Sequence, residues 1–76
     1  MQLDYRAERD EQGNVVVHGV ARDERGELLP LPAHFWPVII VNCPDFVPDG
    51  DGGFRRDPEE AVRVTVVDTI RRALGA

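Results

Sequence analysis

The acidic residues between positions 49 and 60 have a spacing that could bind a divalent cation. If Asp49 takes position 1 of a twelve-residue calcium loop, three further carboxylates fall at ligand positions 3, 9 and 12: Asp51, Asp57 and Glu60. Position 6, which requires glycine for a sharp turn, is Phe54. Calcium binding by these four carboxylates is therefore kept as an alternative, and the leading prediction is a chain without a metal or other cofactor.

Cysteine and histidine offer a second kind of chemistry. The one thiol, Cys43, could pair with His18 or His34 as an activated nucleophile. Neither histidine stands beside an orienting group or a glycine-rich turn that could stabilise an oxyanion. A cysteine at the end of an apolar strand is usually a small core residue. We therefore predict that the chain is not an enzyme and that it has no catalytic residues.

The stretch that begins at Cys43, CPDFVPDGDGG, also offers a surface for another protein. Its loop lacks the apolar sequence to bury two aromatic rings, so we expect Phe46 or Phe54 to be an exposed anchor. Carboxylates around such an anchor would suit a basic partner. The predicted partner-binding residues are Asp45, Phe46, Asp49, Asp51, Phe54, Asp57, Glu59 and Glu60.

Composition narrows the classes of partner and compartment. The 76 residues carry a formal net charge of −5, from fourteen carboxylates and nine arginines. Such a chain lacks the basic footprint of a direct nucleic-acid binder, so we expect a protein partner with a basic surface. A single cysteine excludes an internal disulfide and favours a reducing compartment, here the bacterial host cytoplasm. No apolar run is long enough for a membrane, and we expect a monomer or homodimer.

Alternation and turn chemistry predict the order of the elements. Leu3, Tyr5 and Ala7 alternate with charged residues, and the β-branched run from Val15 onward is typical of a return strand. Gly19 within that run suggests a bulge. The predicted elements, all in one domain spanning 1–76, are a hairpin at about 3–21, an irregular segment at 22–37, a central strand at 38–43, an acidic loop at 44–56 and a helix at 57–74.

The last segment carries helix signals. Asp57 is a suitable N-cap, Pro58 fits the first helical position and Glu60 completes a capping-box pattern. Apolar residues at helical spacing follow, although valines over 62–67 also alternate and leave a strand there as the alternative. With the helix, the chain is predicted to be α+β: a small antiparallel sheet of three to four strands with one C-terminal helix packed on one face.

Two motifs resemble HicB-like antitoxins. In that family a strand ends in Cys-Pro-Asp and an apolar residue, as in Cys43-Pro44-Asp45-Phe46. An acid-rich helix start containing Glu-Glu-Ala follows, as in Asp57-Pro58-Glu59-Glu60-Ala61. The loop between the motifs is longer than in the family. The resemblance implies a protein-binding module that docks on an RNA-cleaving toxin and masks its site.

Size, charge and the lack of a catalytic motif also resemble a second class of inhibitor, the small acidic anti-CRISPR proteins of phages. These occupy basic nucleic-acid channels with carboxylates in place of phosphates. The predicted function is thus a small acidic protein-binding inhibitor or regulator of a nucleic-acid-binding or nucleic-acid-cleaving protein. A structural, self-associating phage or bacterial subunit is one alternative, because a sheet edge could pair with a second copy. A Cys/His enzyme is the other.

Overall fold

The computed structural model describes residues 1–75, which form five strands and one helix. In chain order these are β1 (Gln2–Arg9), β2 (Val15–Arg22), β3 (Val38–Ile40), β4 (Phe46–Pro48), β5 (Phe54–Arg56) and α1 (Pro58–Gly75). Strands β1, β2 and β3 form one antiparallel sheet in that spatial order, and β4 and β5 form a second. The predicted α+β class with one C-terminal helix is confirmed.

The strand predicted to be central lies at an edge of its sheet. β2 occupies the centre, with β1 on one side and β3 on the other. β3 ends at Ile40 instead of 43, and Asn42 beyond it adopts a positive φ of 53°. Ile39 and Val41 are 58% and 65% exposed, so only one face of this apolar run is covered. A run that is apolar on both faces is typical of a central strand, and the sequence therefore predicted the centre of the sheet. The prediction was wrong because one face of this apolar run is exposed and the strand lies at the edge.

The core lies between one face of the three-stranded sheet and one stripe of α1. Its buried members are Val15, Val17, Ala21, Val38, Ile40, Val62, Val66 and Ile70. Val17 of β2 pairs with Val38 of β3. The side chains of Val17, Val66 and Ile70 are completely buried. Burying one such side chain contributes about 1.5–3 kcal/mol, so this layer is the main favourable term of folding.

Gly19 is required by close packing instead of by a bulge. The pairing of β1 with β2 runs through Gly19 without interruption, opposite Tyr5. A Cβ at this position would lie 2.6 Å from the Asp4 carbonyl oxygen and 3.1 Å from the Trp36 ring. The predicted bulge was wrong, because a glycine in a strand also marks the close approach of another group.

The acidic loop predicted at 44–56 contains a hairpin. Strands β4 and β5 pair through Phe46 with Arg56, Val47 with Arg55 and Pro48 with Phe54. Together β4 and β5 are called the ribbon. Val47 is 4% exposed, and α1 packs against β4. Three-residue strands that include a proline are too short for a period of two to show in the sequence. The ribbon therefore could not be predicted from the sequence.

The last segment is a helix, not a strand, over 62–67. Asp57 caps it: its Oδ1 accepts a hydrogen bond from the Glu60 N–H at 3.1 Å. A strand would bury Val62, Val64 and Val66 alike, yet Val64 is 48% exposed while its two neighbours are buried. The period of 3.6 therefore fits the burial. Over the described residues, α1 does not have the apolar length needed to cross a membrane.

We predict that Val66→Ala lowers the free energy of unfolding by about 2 kcal/mol, because it leaves a cavity in a fully buried site. Urea denaturation followed by circular dichroism measures this. The matched control is Val64→Ala on the exposed side of the same helix, which should change stability by less than about 0.5 kcal/mol. Equal losses in the two variants would contradict the assigned helix face.

Candidate functional site

The ribbon presents a small aromatic face to solvent. Phe46 and Phe54 are 56% and 71% exposed, so both rings that the sequence placed in a loop are accessible. Side chains alternate along a strand, and Val47 points inward, which places Phe46 and Pro48 on the outer side. Phe54 lies directly opposite Pro48 in the register. These three residues are called the aromatic face, and Phe46 and Phe54 are diagonal neighbours within it.

The turn that joins β4 to β5 is held by Asp49. One of its carboxylate oxygens accepts hydrogen bonds from the N–H groups of Asp51 at 2.9 Å and Gly53 at 3.1 Å. The Asp49 N–H donates to the Gly53 carbonyl at 3.1 Å. Gly50 and Gly52 take positive φ values of 87° and 86°, which glycine tolerates best. One oxygen of the Asp49 carboxylate is thus part of the turn.

The same aspartate hydrogen bonds occur twice earlier in the chain. Asp10 accepts hydrogen bonds from the N–H groups two and four residues on, and Asp23 does the same, all at 2.9–3.0 Å. In both cases the preceding arginine, Arg9 or Arg22, donates to the carbonyl of the turn glycine. The signal in the sequence is Asp-x-x-Gly-x, and in the third copy Pro48 takes the place of the arginine. This repeat was not predicted from the sequence.

Asp45 is held by arginines from two different elements. Its carboxylate lies 3.2 Å from a guanidinium nitrogen of Arg9 and 3.8 Å from one of Arg56. Its carbonyl accepts a hydrogen bond from the Asp57 N–H at 2.8 Å. Asp45 therefore links the ribbon to the end of β1 and to the start of α1.

Asp57 and Glu60 also have partners within the chain. Asp57 forms an ion pair with Arg55 at 2.6 Å, and Glu60 lies 3.8 Å from Arg63. The N–H of Glu60 and the guanidinium of Arg55 hold the pKa of the Asp57 carboxyl below its ordinary value of 3.8. Asp57 thus caps the helix, and Glu60 forms an ion pair on its surface. Of the six predicted binding acids, this leaves Asp51 and Glu59, which are exposed and have no ion-pair partner within residues 1–75.

The carboxylates considered for calcium do not assemble into a site. Among residues 1–75, no three side chains of His, Cys, Asp or Glu come together as metal ligands would. The Asp49 carboxylate accepts hydrogen bonds within its turn, and the Asp57 carboxylate caps the helix. The spacing of a calcium loop is thus reproduced here by a turn followed by a helix start.

The candidate nucleophile is not paired with a histidine. The Cys43 thiol donates to the Pro44 carbonyl at an Sγ–O distance of 3.6 Å. Burial raises the pKa of this thiol and outweighs the opposite effect of Arg9, so the protonated form dominates at neutral pH. His18 and His34 are both exposed, His18 on the open face of β2. The arrangement lacks the base that would activate Cys43.

Comparisons with protein-family models, with curated proteins and with solved structures gave no match for this chain. The likeness to HicB-like antitoxins therefore depends on the two motifs alone. The first motif leads into β4 and the second begins at the N-cap of α1, and the Asp57 N–H links them by its hydrogen bond to the Asp45 carbonyl.

We predict that Asp49→Ala destabilises the protein by about 1 kcal/mol, because two backbone N–H groups lose their acceptor. Asp49→Asn should lose less, since an amide oxygen can accept the same hydrogen bonds. Chemical denaturation measures both, with Asp51→Ala as the control at a carboxylate that has no such role. If Asp49→Ala leaves the free energy of unfolding unchanged, the turn does not depend on its aspartate.

A second prediction concerns pH. The folded-state pKa of Asp57 is lowered, so its contribution to stability is present above 3.8 and is lost as the pH falls through the folded-state value. The stability difference between the wild type and Asp57→Ala should therefore shrink between neutral pH and about pH 2. Urea denaturation at a series of pH values measures it. A difference that stays flat over this pH range for Asp57→Ala would contradict the assignment.

Proposed function

We propose that this chain is a non-enzymatic, protein-binding inhibitor or regulator that docks through the aromatic face of the ribbon. The observation that carries the proposal is that Phe46 and Phe54, 56% and 71% exposed, lie on the same side of one short hairpin. Large aromatic side chains are the usual energetic centres of protein interfaces. Two of them together on a chain of 76 residues favour a binding surface over incidental exposure.

The ribbon is suited to this role because its backbone is fixed before binding. The Asp49 turn closes one end, and the ion pairs of Asp45 with Arg9 and Arg56 hold the other. A surface that is already ordered spends less free energy on binding than a flexible loop does. Asp45 and Asp49 thus act indirectly in this proposal, since they hold the ribbon that carries the two rings.

Charge indicates the kind of partner. Asp51 at the tip of the ribbon and Glu59 in the first turn of α1 remain uncompensated, and the whole chain carries −5. A complementary surface has an apolar pocket for the rings with arginines or lysines around it. Proteins that bind or cleave nucleic acid carry such basic surfaces for phosphate. An inhibitor of that class, comparable to HicB-like antitoxins or anti-CRISPR proteins, in the bacterial host cytoplasm, fits the charge, the single cysteine and the two motifs.

The test replaces both rings. Phe46→Ala/Phe54→Ala should abolish capture of the partner, because it removes the two anchors while the fold stays intact. The tagged chain is used for capture from a lysate of cells that carry its gene, followed by titration of the purified partner by calorimetry. The matched control is Leu28→Ala/Val41→Ala, which removes two equally exposed apolar side chains outside the ribbon, each 65% exposed.

Loss of binding in the ring variant together with retention in the control supports the proposal. Equal binding by the wild type and the ring variant would show that the aromatic face is not the docking surface. In a further arm, Asp51→Asn/Glu59→Gln should weaken binding and reduce its dependence on salt. A partner whose binding site is acidic would contradict the proposed charge complementarity.

A further inference from the structure

The outer edge of β1 is an eight-residue strand edge without a neighbour in the described chain. β1 pairs with β2 on its other side along its whole length. Such an edge presents a row of free N–H and C=O groups, which proteins usually cover, shorten or interrupt. Here no proline or bulge interrupts it, and the edge is long and regular.

The residues that point their peptide groups outward can be identified. The Asp10 N–H donates to the Asn14 carbonyl at 2.9 Å, so the even-numbered peptide groups of β1 face β2. On the far side of β2, the Ala21 carbonyl accepts a hydrogen bond from the Leu29 N–H at 3.0 Å, which fits the same alternation. The free donors and acceptors of the edge therefore belong to Leu3, Tyr5, Ala7 and Arg9.

The helix leaves the side chains of this edge partly uncovered. Two grooves of about 380 and 390 Å³ run between β1 and α1. Tyr5, Ala7, Glu8 and Arg9 form the β1 side of the first, and Leu3 forms that of the second. On the helix side of the second groove, Val64 is 48% exposed and stands among the charged side chains of Arg63, Asp68 and Arg71. An added strand with apolar residues on the same face would cover the apolar part of these grooves.

We propose that a second copy of this chain covers the edge, with the two β1 strands pairing antiparallel and Tyr5 facing Tyr5 across a two-fold axis. In this register Leu3 faces Ala7 of the second copy on the helix side, and both pairs use outward-facing peptide groups. On the open face, Asp4 faces Arg6 of the second copy, and this contact occurs twice because of the symmetry. The product is a six-stranded sheet with both helices on one face.

Charge selects this register over its neighbours. A shift of one residue would set outward peptide groups against inward ones and turn apolar side chains to the wrong face. A shift of two residues would place either Asp4 opposite Asp4 or Arg6 opposite Arg6. Like charges directly opposite each other are destabilising, whereas opposite charges stabilise the pair. A second copy is therefore the occupant that this edge fits.

The experiment measures association by sedimentation equilibrium from about 1 μM to about 1 mM protein. The wild type should dimerise. Asp4→Arg alone and Arg6→Asp alone each create two like-charged contacts, and each should weaken dimerisation about tenfold or more. An equimolar mixture of the two variants restores opposite charges at both contacts, so heterodimers should form with about wild-type affinity.

Matched controls separate the register from net charge. Asp51→Arg and Arg25→Asp make the same changes of charge at exposed turns outside β1, and both should dimerise as the wild type does. Ala7→Pro removes one outward N–H without touching the pairing of β1 with β2, and it should abolish the dimer while the circular dichroism spectrum is kept. The ring variant Phe46→Ala/Phe54→Ala should still dimerise, so the two proposals can fail separately.

A wild-type chain that is monomeric up to about 1 mM would overturn the proposal. Unimpaired dimerisation of Ala7→Pro would do the same, because the association would then not use the edge. If the mixture of Asp4→Arg and Arg6→Asp stays as weak as each variant alone, the register is wrong and the proposed dimer with it.

Discussion

The packing of β-branched side chains between β2 and α1 is the interaction on which the remaining structure depends. Val17, Val66 and Ile70 are completely buried there, although the chain has only 76 residues. One helix can cover only one face of one sheet. The opposite face, the edge of β1 and the outer side of the ribbon are left open as a direct consequence. A domain this small buries a limited share of its surface, so its exposed apolar groups are available for partners.

The aspartates show how a structural role can resemble a ligand-binding one. Asp49 accepts two backbone hydrogen bonds, Asp45 pairs with two arginines and Asp57 caps the helix. These are the properties that also make a carboxylate a metal ligand: oxygen acceptors and negative charge in a tight turn. In this chain the backbone and the arginines take the place of the cation. The exposed side chains that remain free for contact are the rings of Phe46 and Phe54, which lie between these aspartates in the sequence.

The sequence allowed prediction of the elements whose signals are local. The helix followed from Asp57, Pro58 and the apolar stripe, and the first hairpin from alternation around a glycine turn. The edge position of β3 could not be predicted, because an apolar run does not show which of its faces is covered. The partners of Asp45 could not be predicted either, since Arg9 lies 36 residues away along the chain. The Asp-x-x-Gly-x repeat was readable from the sequence, and it would have predicted the structural role of Asp49 in its turn.

The repeated aspartate turn has a consequence for the order of folding. Each copy closes its loop within five residues, so the chain meets its strand partner with little loss of loop entropy. The helix is local as well, and the longest strand pairing, Val15 with Ile40, spans only 25 positions. The core between β2 and α1, in contrast, joins distant parts of the chain, and non-local contacts of this kind form more slowly. We expect the hairpins and the helix to form early and the packing of β2 on α1 to follow.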